Sequence, residues 1–187
     1  MTAPDGAWLV VIDMQEVFAD PASEWATPRF AEAAAAIGRL LPAFAGRTAY
    51  TRFVAPERPF GSWVPYYRQW PFALAPRDAR IWAITRDFDV RDAPVVTAPT
   101  FGKWNADLAA AVGHGRNLVL AGVSTDCCVL STALAAADAG CSVLVVADAC
   151  AGLTDADHER ALAAMALYEP LIRITTVAEI LDEPADQ

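Results

Sequence analysis

The 187-residue chain has little histidine and little positive charge. It contains two histidines, and its 14 Lys and Arg residues stand against 23 Asp and Glu residues, a net charge of −9. Proteins that bind nucleic acid usually gather Lys and Arg on one face. This balance argues against a nucleic-acid partner, and a dispersed acidic surface that favours solubility is the simpler interpretation.

Long apolar runs are also missing. No run approaches the roughly 18–20 residues that cross a bilayer. The first residues, MTAPDGAW, have no basic region of the kind that begins a signal peptide. We therefore expect a cytoplasmic protein that does not bind membranes.

Cysteine is scarce and is not arranged as a metal or disulfide framework. The four cysteines are Cys127, Cys128, Cys141 and Cys150, and no pair has the C-x-x-C spacing of a zinc site. Adjacent cysteines are a poor start for a disulfide framework, so we expect free thiols in a reducing compartment. Most free cysteines are small buried hydrophobic residues, and a catalytic role needs support from context. A dinucleotide site is not expected either, because no G-x-G-x-x-G follows the first predicted strand.

What the chain does have is a regular alternation of short β-branched runs and alanine-rich segments. The predicted strands are Ala7–Ile12, Arg47–Arg52, Pro94–Ala98, Asn117–Ala121, Ser142–Ala147 and Ile172–Ile174. The predicted helices are Phe30–Phe44, Asn105–Val112, Thr125–Ala139, Asp155–Tyr168 and Val177–Leu181.

These strands are apolar throughout, as in parallel sheets covered on both faces by helices. Together with right-handed β-α-β crossovers, the pattern predicts a three-layer α/β/α sandwich around a doubly wound, mainly parallel six-stranded sheet of Rossmann-like type. We expect one domain over residues 1–187, with a frayed tail at 183–187.

The stretch 53–90 breaks the alternation. It is rich in proline and aromatic residues and has no clear period, as in FVAPERPFGSWVPYYRQWPF. A loop this long inside a compact domain is usually functional or disordered, and the aromatic content argues against disorder. The stretch is therefore predicted to form either a lid or pocket wall, or a contact with another subunit.

Three reactive side chains follow predicted strands. Asp13 ends the first strand, Lys103 lies beyond the third, and Cys128 lies just past the fourth, near the start of a helix. In an open parallel sheet, ligands bind where the carboxyl ends of the strands lead into helices. We therefore expect these three side chains at one cleft.

The segment GVSTDCCV, residues 122–129, has the features of a nucleophile turn. Gly122 permits a tight turn, and Ser124, Thr125 and Asp126 are all good N-cap residues. If Thr125 is the cap, Cys128 lies in the first helical turn. The positive end of the helix dipole would then lower the pKa of the thiol. Unpaired N–H groups of that turn could stabilise an oxyanion. The residues alone do not decide between Cys127 and Cys128, which lie about 100° apart around a helix.

At this point the sequence resembles a known family. GVSTDCCVLSTALAA is similar to the nucleophile segment G-V-x-T-x-x-C-V of the isochorismatase-like cysteine hydrolases. VVIDMQ resembles the first strand of that family with its catalytic Asp, and TFGKWNADL resembles its lysine segment. DACAGLTDADHERAL resembles the strand-to-helix crossover that follows the cysteine helix. The resemblance extends from about residue 7 to 182.

The resemblance implies a mechanism. Cys128 would be the nucleophile, Asp13 would take its proton, and Lys103 would support the thiolate. The reaction would cleave a C–N bond of a small amide, carbamoyl or imide-like compound through a thioester. A non-proline cis peptide would precede Ser124, and backbone at Ser124 and Cys128 would face the oxyanion. Members usually assemble, so a homodimer or homotetramer is expected.

The resemblance also bears on metals. Metal-dependent nicotinamidases of the family use a histidine pair and an extra Asp ahead of the lysine segment. Here no histidine lies between residues 14 and 113, so neither a metal nor another cofactor is expected. His114 is interpreted as a turn residue and His158 as a surface or capping residue.

Two other functions stay open. Isochorismatases proper cleave a vinyl ether by proton transfer without a cysteine nucleophile, and Asp13 could supply that acid. A noncatalytic thiol redox sensor or binding module on the same fold is the other possibility. The presence of Cys128 favours C–N hydrolysis, and the pairing of Asp13 with Lys103 favours an enzyme over a sensor.

Candidate substrate contacts are largely aromatic, which predicts a flat or apolar small molecule. They are Gln15, Phe18, Trp63, Tyr66, Trp70, Phe101 and Trp104.

Overall fold

The computed structural model describes residues 5–113 and 116–182. The turn predicted at His114 and the frayed tail at 183–187 lie outside the described residues. The six strands are β1 Trp8–Ile12, β2 Thr48–Phe53, β3 Val95–Ala98, β4 Asn117–Val123, β5 Ser142–Ala151 and β6 Ile172–Thr175. They form one sheet in the order β3-β2-β1-β4-β5-β6, and every neighbouring pair is parallel. The predicted six-stranded doubly wound sheet is confirmed.

Helices cover both faces of the sheet. They are α1 Glu16–Ala19, α2 Phe30–Leu40, α3 Trp63–Gln69, α4 Ala106–Val112, α5 Leu130–Asp138, α6 Asp155–Ala166 and α7 Val177–Leu181. Helices α2 and α7 pack with Leu9 and Val11 on one face of β1. Helices α4, α5 and α6 pack with Val10 and Ile12 on the other. Successive side chains of a strand point to opposite faces, so an unbroken apolar strand is buried on both, as predicted.

Several predicted boundaries differ from the observed ones by a few residues, and two of these differences have identifiable reasons. The helix predicted over Phe30–Phe44 ends at Leu40 and continues as a 3₁₀ turn, Leu41–Phe44. Pro42 cannot donate an intrahelical hydrogen bond and crowds the preceding turn. Strand β5 runs on to Ala151, past the predicted end, because its pairing with β4 shifts between Leu120 and Gly122 and then resumes.

The stretch 53–90 is structured. It contains α3 and two 3₁₀ turns, Pro71–Leu74 and Arg80–Trp82. Tyr67 and Trp82 are 2 % and 0 % exposed and belong to the same core as α2. The stretch therefore packs onto its own domain. Among the described residues, no helix combines the length and apolar character that crossing a membrane requires.

Gly122 allows β1 and β4 to lie against each other where the site begins. Its φ is +124°, and a Cβ at this position would lie 2.1 Å from the carbonyl oxygen of Ile12. Only glycine combines that backbone conformation with so close an approach. Gly122 therefore lies within β4 and permits its close contact with β1. The prediction that it forms a turn beyond the strand is wrong.

Candidate active site

The cleft lies where the strand order reverses. Strands β1 and β4 are neighbours, yet the chain between them builds β2 and β3 on the outer side of β1. Loops leaving two such strands diverge to opposite faces and leave a crevice at their carboxyl ends. Asp13 follows β1, and the turn that carries Cys128 follows β4.

Asp13 is held rigidly at the end of β1. Its side chain is 0 % exposed, and its Oδ1 accepts a hydrogen bond of 2.7 Å from the Thr51 hydroxyl. Its backbone N–H donates to the carbonyl oxygen of Thr51 at 3.2 Å. Among the described residues, Oδ2 has no aligned hydrogen-bond donor, although it lies 3.0 Å from Nζ of Lys103. One carboxylate oxygen therefore keeps a lone pair for a proton.

Lys103 is the only lysine of the chain, and it is fully buried. Its Nζ pairs with Asp13, donates a short hydrogen bond to the carbonyl oxygen of Thr100 and lies 4.8 Å from the centre of the Phe53 ring. A buried ammonium is costly unless it is paired and hydrogen-bonded. The contacts around Lys103 meet that requirement.

Thr132 connects the lysine to the cysteine. Its hydroxyl donates to the carbonyl oxygen of Cys128 at 2.6 Å and accepts from the backbone N–H of Lys103 at 2.9 Å. Because Thr132 is itself 0 % exposed, this single hydroxyl fixes the spacing of the two backbone segments.

Cys128 lies in a turn that differs from the predicted one. Residues Thr125–Val129 form a π-helical turn ahead of α5, and Ser124 occupies the N-cap position. Of the three possible N-caps, Ser124 is the one observed, and the hydroxyl of Thr125 instead lies 2.8 Å from Nδ1 of His158. Wide turns of this kind are frequent at functional sites.

The predicted lowering of the Cys128 pKa is also wrong. The side chain is 4 % exposed. Burial, followed by the negative charge of Asp13, raises the pKa of the Cys128 thiol well above its ordinary value, and the charge of Lys103 opposes this only in part. A buried thiolate loses hydration. The resting group is therefore a neutral thiol that needs a base.

The peptide bond between Val123 and Ser124 is cis, as the resemblance implies. The oxyanion role of the backbone at Ser124 and Cys128 stays a prediction.

Cys128 opens onto a cavity of about 260 Å³, whereas Asp13 and Lys103 lie behind it. The cavity is lined by Phe18, Glu24, Trp25, Thr27, Phe53, Tyr66, Trp70, Phe101, Ser124, Asp126, Cys127, Cys128 and Leu153. The stretch 53–90 supplies part of this wall through Phe53, Tyr66 and Trp70. Whether the stretch also contacts another subunit stays a prediction.

Four of the seven predicted substrate contacts line the cavity, namely Phe18, Tyr66, Trp70 and Phe101. The other three need correction. The ring of Trp63 packs behind the wall, 5.2 Å from that of Phe101. Trp104 packs against the core on the α5 side of the sheet. Gln15 is fully buried and bonded to backbone.

Gln15 ties the stretch 53–90 to the sheet. Its Oε1 accepts from the N–H of Phe53 at 2.7 Å, and its Nε2 donates to the carbonyl oxygens of Phe53 and Trp82, both at 2.9 Å. The side chain therefore has a structural role.

Replacing Gln15 by leucine is expected to lower the free energy of unfolding by about 2–4 kcal/mol, because buried backbone groups lose their partners. Urea unfolding measures this. The exposed Gln69 provides the matched control, since Gln69→Leu should leave stability nearly unchanged. Equal stability of both variants would contradict the structural role.

Six further residues line the wall and were not predicted as site residues, namely Glu24, Trp25, Thr27, Phe53, Asp126 and Leu153. The bridging role of Thr132 was not predicted either. Trp25 is at the centre of a ring cluster, with centroids 5.8 Å from Phe53 and 6.3 Å from Trp70. No local pattern marks such residues, because they come from distant loops.

The described residues do not bring together the His, Cys, Asp and Glu side chains that a metal site with several protein ligands requires. Within residues 5–113 and 116–182, no three His, Cys, Asp or Glu side chains are placed to hold a metal ion. A catalytic zinc site typically needs three protein ligands.

Several solved structures share this architecture. A cysteine hydrolase from Pseudomonas syringae superposes with a TM-score of 0.82 at 21 % identity, covering 94 % of this chain and 91 % of its own. An isochorismatase-like hydrolase from Alkaliphilus metalliredigens gives 0.77 at 18 % identity, covering 95 % and 98 %. A pyrazinamidase of Pyrococcus horikoshii, solved in complex with zinc, gives 0.73 at 24 % identity, covering 91 % and 99 %.

At such identities these likenesses show the fold alone. No curated protein matches the chain in sequence. The family model of the isochorismatase domain, however, matches residues 7–179. The chain therefore belongs to the isochorismatase-like hydrolase family.

Proposed function

We propose that this protein is a cysteine hydrolase that cleaves a C–N bond of a small amide, carbamoyl or imide-like compound. The observation that carries the proposal is the buried Asp13–Lys103 pair, whose two charges act on the thiol of Cys128, a residue that lines the cavity. A neutral thiol, a carboxylate with a free lone pair and a fixed ammonium are the parts that a thioester mechanism needs.

The steps follow from these positions. Asp13 accepts the thiol proton as Sγ of Cys128 bonds to the substrate carbonyl carbon. The C–N bond then breaks, and the proton held by Asp13 passes to the leaving nitrogen. Water hydrolyses the thioester, which yields a carboxylic acid and restores the thiol. The positive charge of Lys103 stabilises the stages of this cycle that carry negative charge.

The other two functions receive less support. Redox-sensing cysteines are accessible and have a low pKa, whereas Cys128 is 4 % exposed and its pKa is raised. Vinyl-ether cleavage would use Asp13 as an acid. It would give no catalytic role to Cys128, which lies between Asp13 and the cavity.

All four cysteines are free, which fits a reducing compartment. Location in the cytoplasm and assembly into a homodimer or homotetramer stay predictions.

The proposal is tested with a panel of small primary amides, carbamoyl compounds and imides, by measuring the release of ammonia or amine. We expect turnover of at least one class, with a transient mass increase on Cys128 equal to the acyl group. Absence of turnover across all three classes would overturn C–N hydrolysis.

The raised pKa of Cys128 predicts how labelling depends on pH. In a Cys127→Ala background, iodoacetamide labelling of Cys128 should be slow at neutral pH and climb about tenfold per unit through roughly pH 9, because only the thiolate reacts. The value of kcat/KM should not climb in parallel with the labelling rate, since the thiol proton passes to Asp13 inside the site and no preformed thiolate is needed. A labelling rate that is already level at about pH 8 would indicate a preformed thiolate and remove the need for a base.

A further inference from the structure

The wall of the cavity is preformed and aromatic. Six rings line it, those of Phe18, Trp25, Phe53, Tyr66, Trp70 and Phe101. Trp25 holds the cluster together, because its ring lies within 6.3 Å of four of the others, centroid to centroid. Such rings offer a large apolar surface and can also attract a cation through their faces.

The charged side chains that the described residues place on this wall are acidic. Glu24 is exposed at the wall and Asp126 is half-buried. Asp126 is fixed in place, since its Oδ1 accepts from the backbone N–H of Leu153 at 3.1 Å. Among the residues that the structure describes, no Arg, Lys or His lines the cavity.

The remaining ionisable groups of the wall stay neutral at physiological pH. Burial raises the pKa of Tyr66, and it raises the pKa of the Cys127 thiol to about 11. Lys103 lies behind the wall, where Asp13 balances its charge. A substrate would therefore meet apolar rings, the hydroxyl residues Thr27 and Ser124 and negative charge, with no cationic side chain among the lining residues for an anionic group.

We propose that the substrate is an amide-type compound whose non-reacting part is apolar and carries no negative charge. This inference rests on the proposed C–N hydrolysis and narrows it. A carboxylate in this cavity would give up its hydration without an ion partner and would be repelled by Asp126 and Glu24.

The test uses two amides of nearly equal shape. In para-nitrobenzamide the group opposite the amide is neutral, and in para-carbamoylbenzoate it is a carboxylate. Affinity is measured by calorimetry on the Cys128→Ala variant, and kcat/KM by ammonia release from the unaltered enzyme. We expect the carboxylate to bind about 30-fold more weakly or worse, with a similar drop in kcat/KM.

Removing the acidic groups should reduce the difference in affinity between the neutral amide and the carboxylate. The Glu24→Gln, Asp126→Asn double variant keeps an acceptor for Leu153 and is expected to reduce the ratio of the two affinities by at least about threefold. The matched control is Glu57→Gln, an exposed residue beside a different groove, which should leave the ratio unchanged.

Equal affinity for both amides, or no measurable binding of the neutral one, would overturn the inference. A third outcome is that the neutral amide binds more tightly than the carboxylate although neither of these two amides nor any compound of the wider panel is hydrolysed. In that case the charge preference of the cavity is supported, and the proposed C–N hydrolysis is overturned.

Discussion

Replacing Cys128 by alanine is expected to abolish amide hydrolysis, with kcat lowered by roughly 10⁴-fold or more. The physical reason is that the thioester route needs a sulfur in contact with both the cavity and Asp13. Steady-state ammonia release measures the effect, and the mass of the acyl-enzyme should disappear with it.

Cys127 is the matched control. It also lines the cavity, but its thiol hydrogen-bonds to Oδ2 of Asp126 at 3.6 Å. Cys127→Ala should change kcat by less than about tenfold. If Cys127→Ala loses activity and Cys128→Ala keeps it, the nucleophile is assigned to the wrong residue. If both variants stay active, covalent catalysis must be abandoned in favour of acid catalysis by Asp13.

Breaking the buried ion pair is expected to have the largest effect on stability. Asp13 and Lys103 are both 0 % exposed, and their charged atoms are 3.0 Å apart. Lys103→Met would leave a carboxylate buried without its partner and should lower the free energy of unfolding by about 3–5 kcal/mol. Urea unfolding measures this loss.

The double variant Asp13→Asn, Lys103→Met separates pairing from packing. Because it removes both charges, it should be more stable than Lys103→Met alone. The exposed Asp89–Arg91 pair is the control, and Arg91→Met should leave stability nearly unchanged. If the loss of unfolding free energy in the double variant equals the sum of the losses in the two single variants, Asp13 and Lys103 are not coupled.

Much of the fold could be predicted because parallel strands leave a local mark. Strands buried on both faces read as unbroken apolar runs, such as LVVI in β1, and the helices between them are alanine-rich. Boundaries were less certain, because they depend on neighbours. Strand β5 extends to Ala151 only because β4 lies beside it.

The three central residues of the candidate site could also be predicted. Asp13, Lys103 and Cys128 each follow a strand, and parallel strands end at the same edge of the sheet. The electrostatics could not be predicted. The start of a helix favours a thiolate, but the burial of Cys128 beside Asp13 outweighs it.

The amino-acid sequence by itself determined the sheet, the order of its elements and the three reactive residues, because these depend on side-chain type and on local period. Only the tertiary structure decided that Gln15 braces a loop, that Trp25 is at the centre of the cavity wall and that this wall carries acidic charge alone. Those properties arise from contacts between residues far apart in the chain, and no local pattern records which distant groups will surround a side chain.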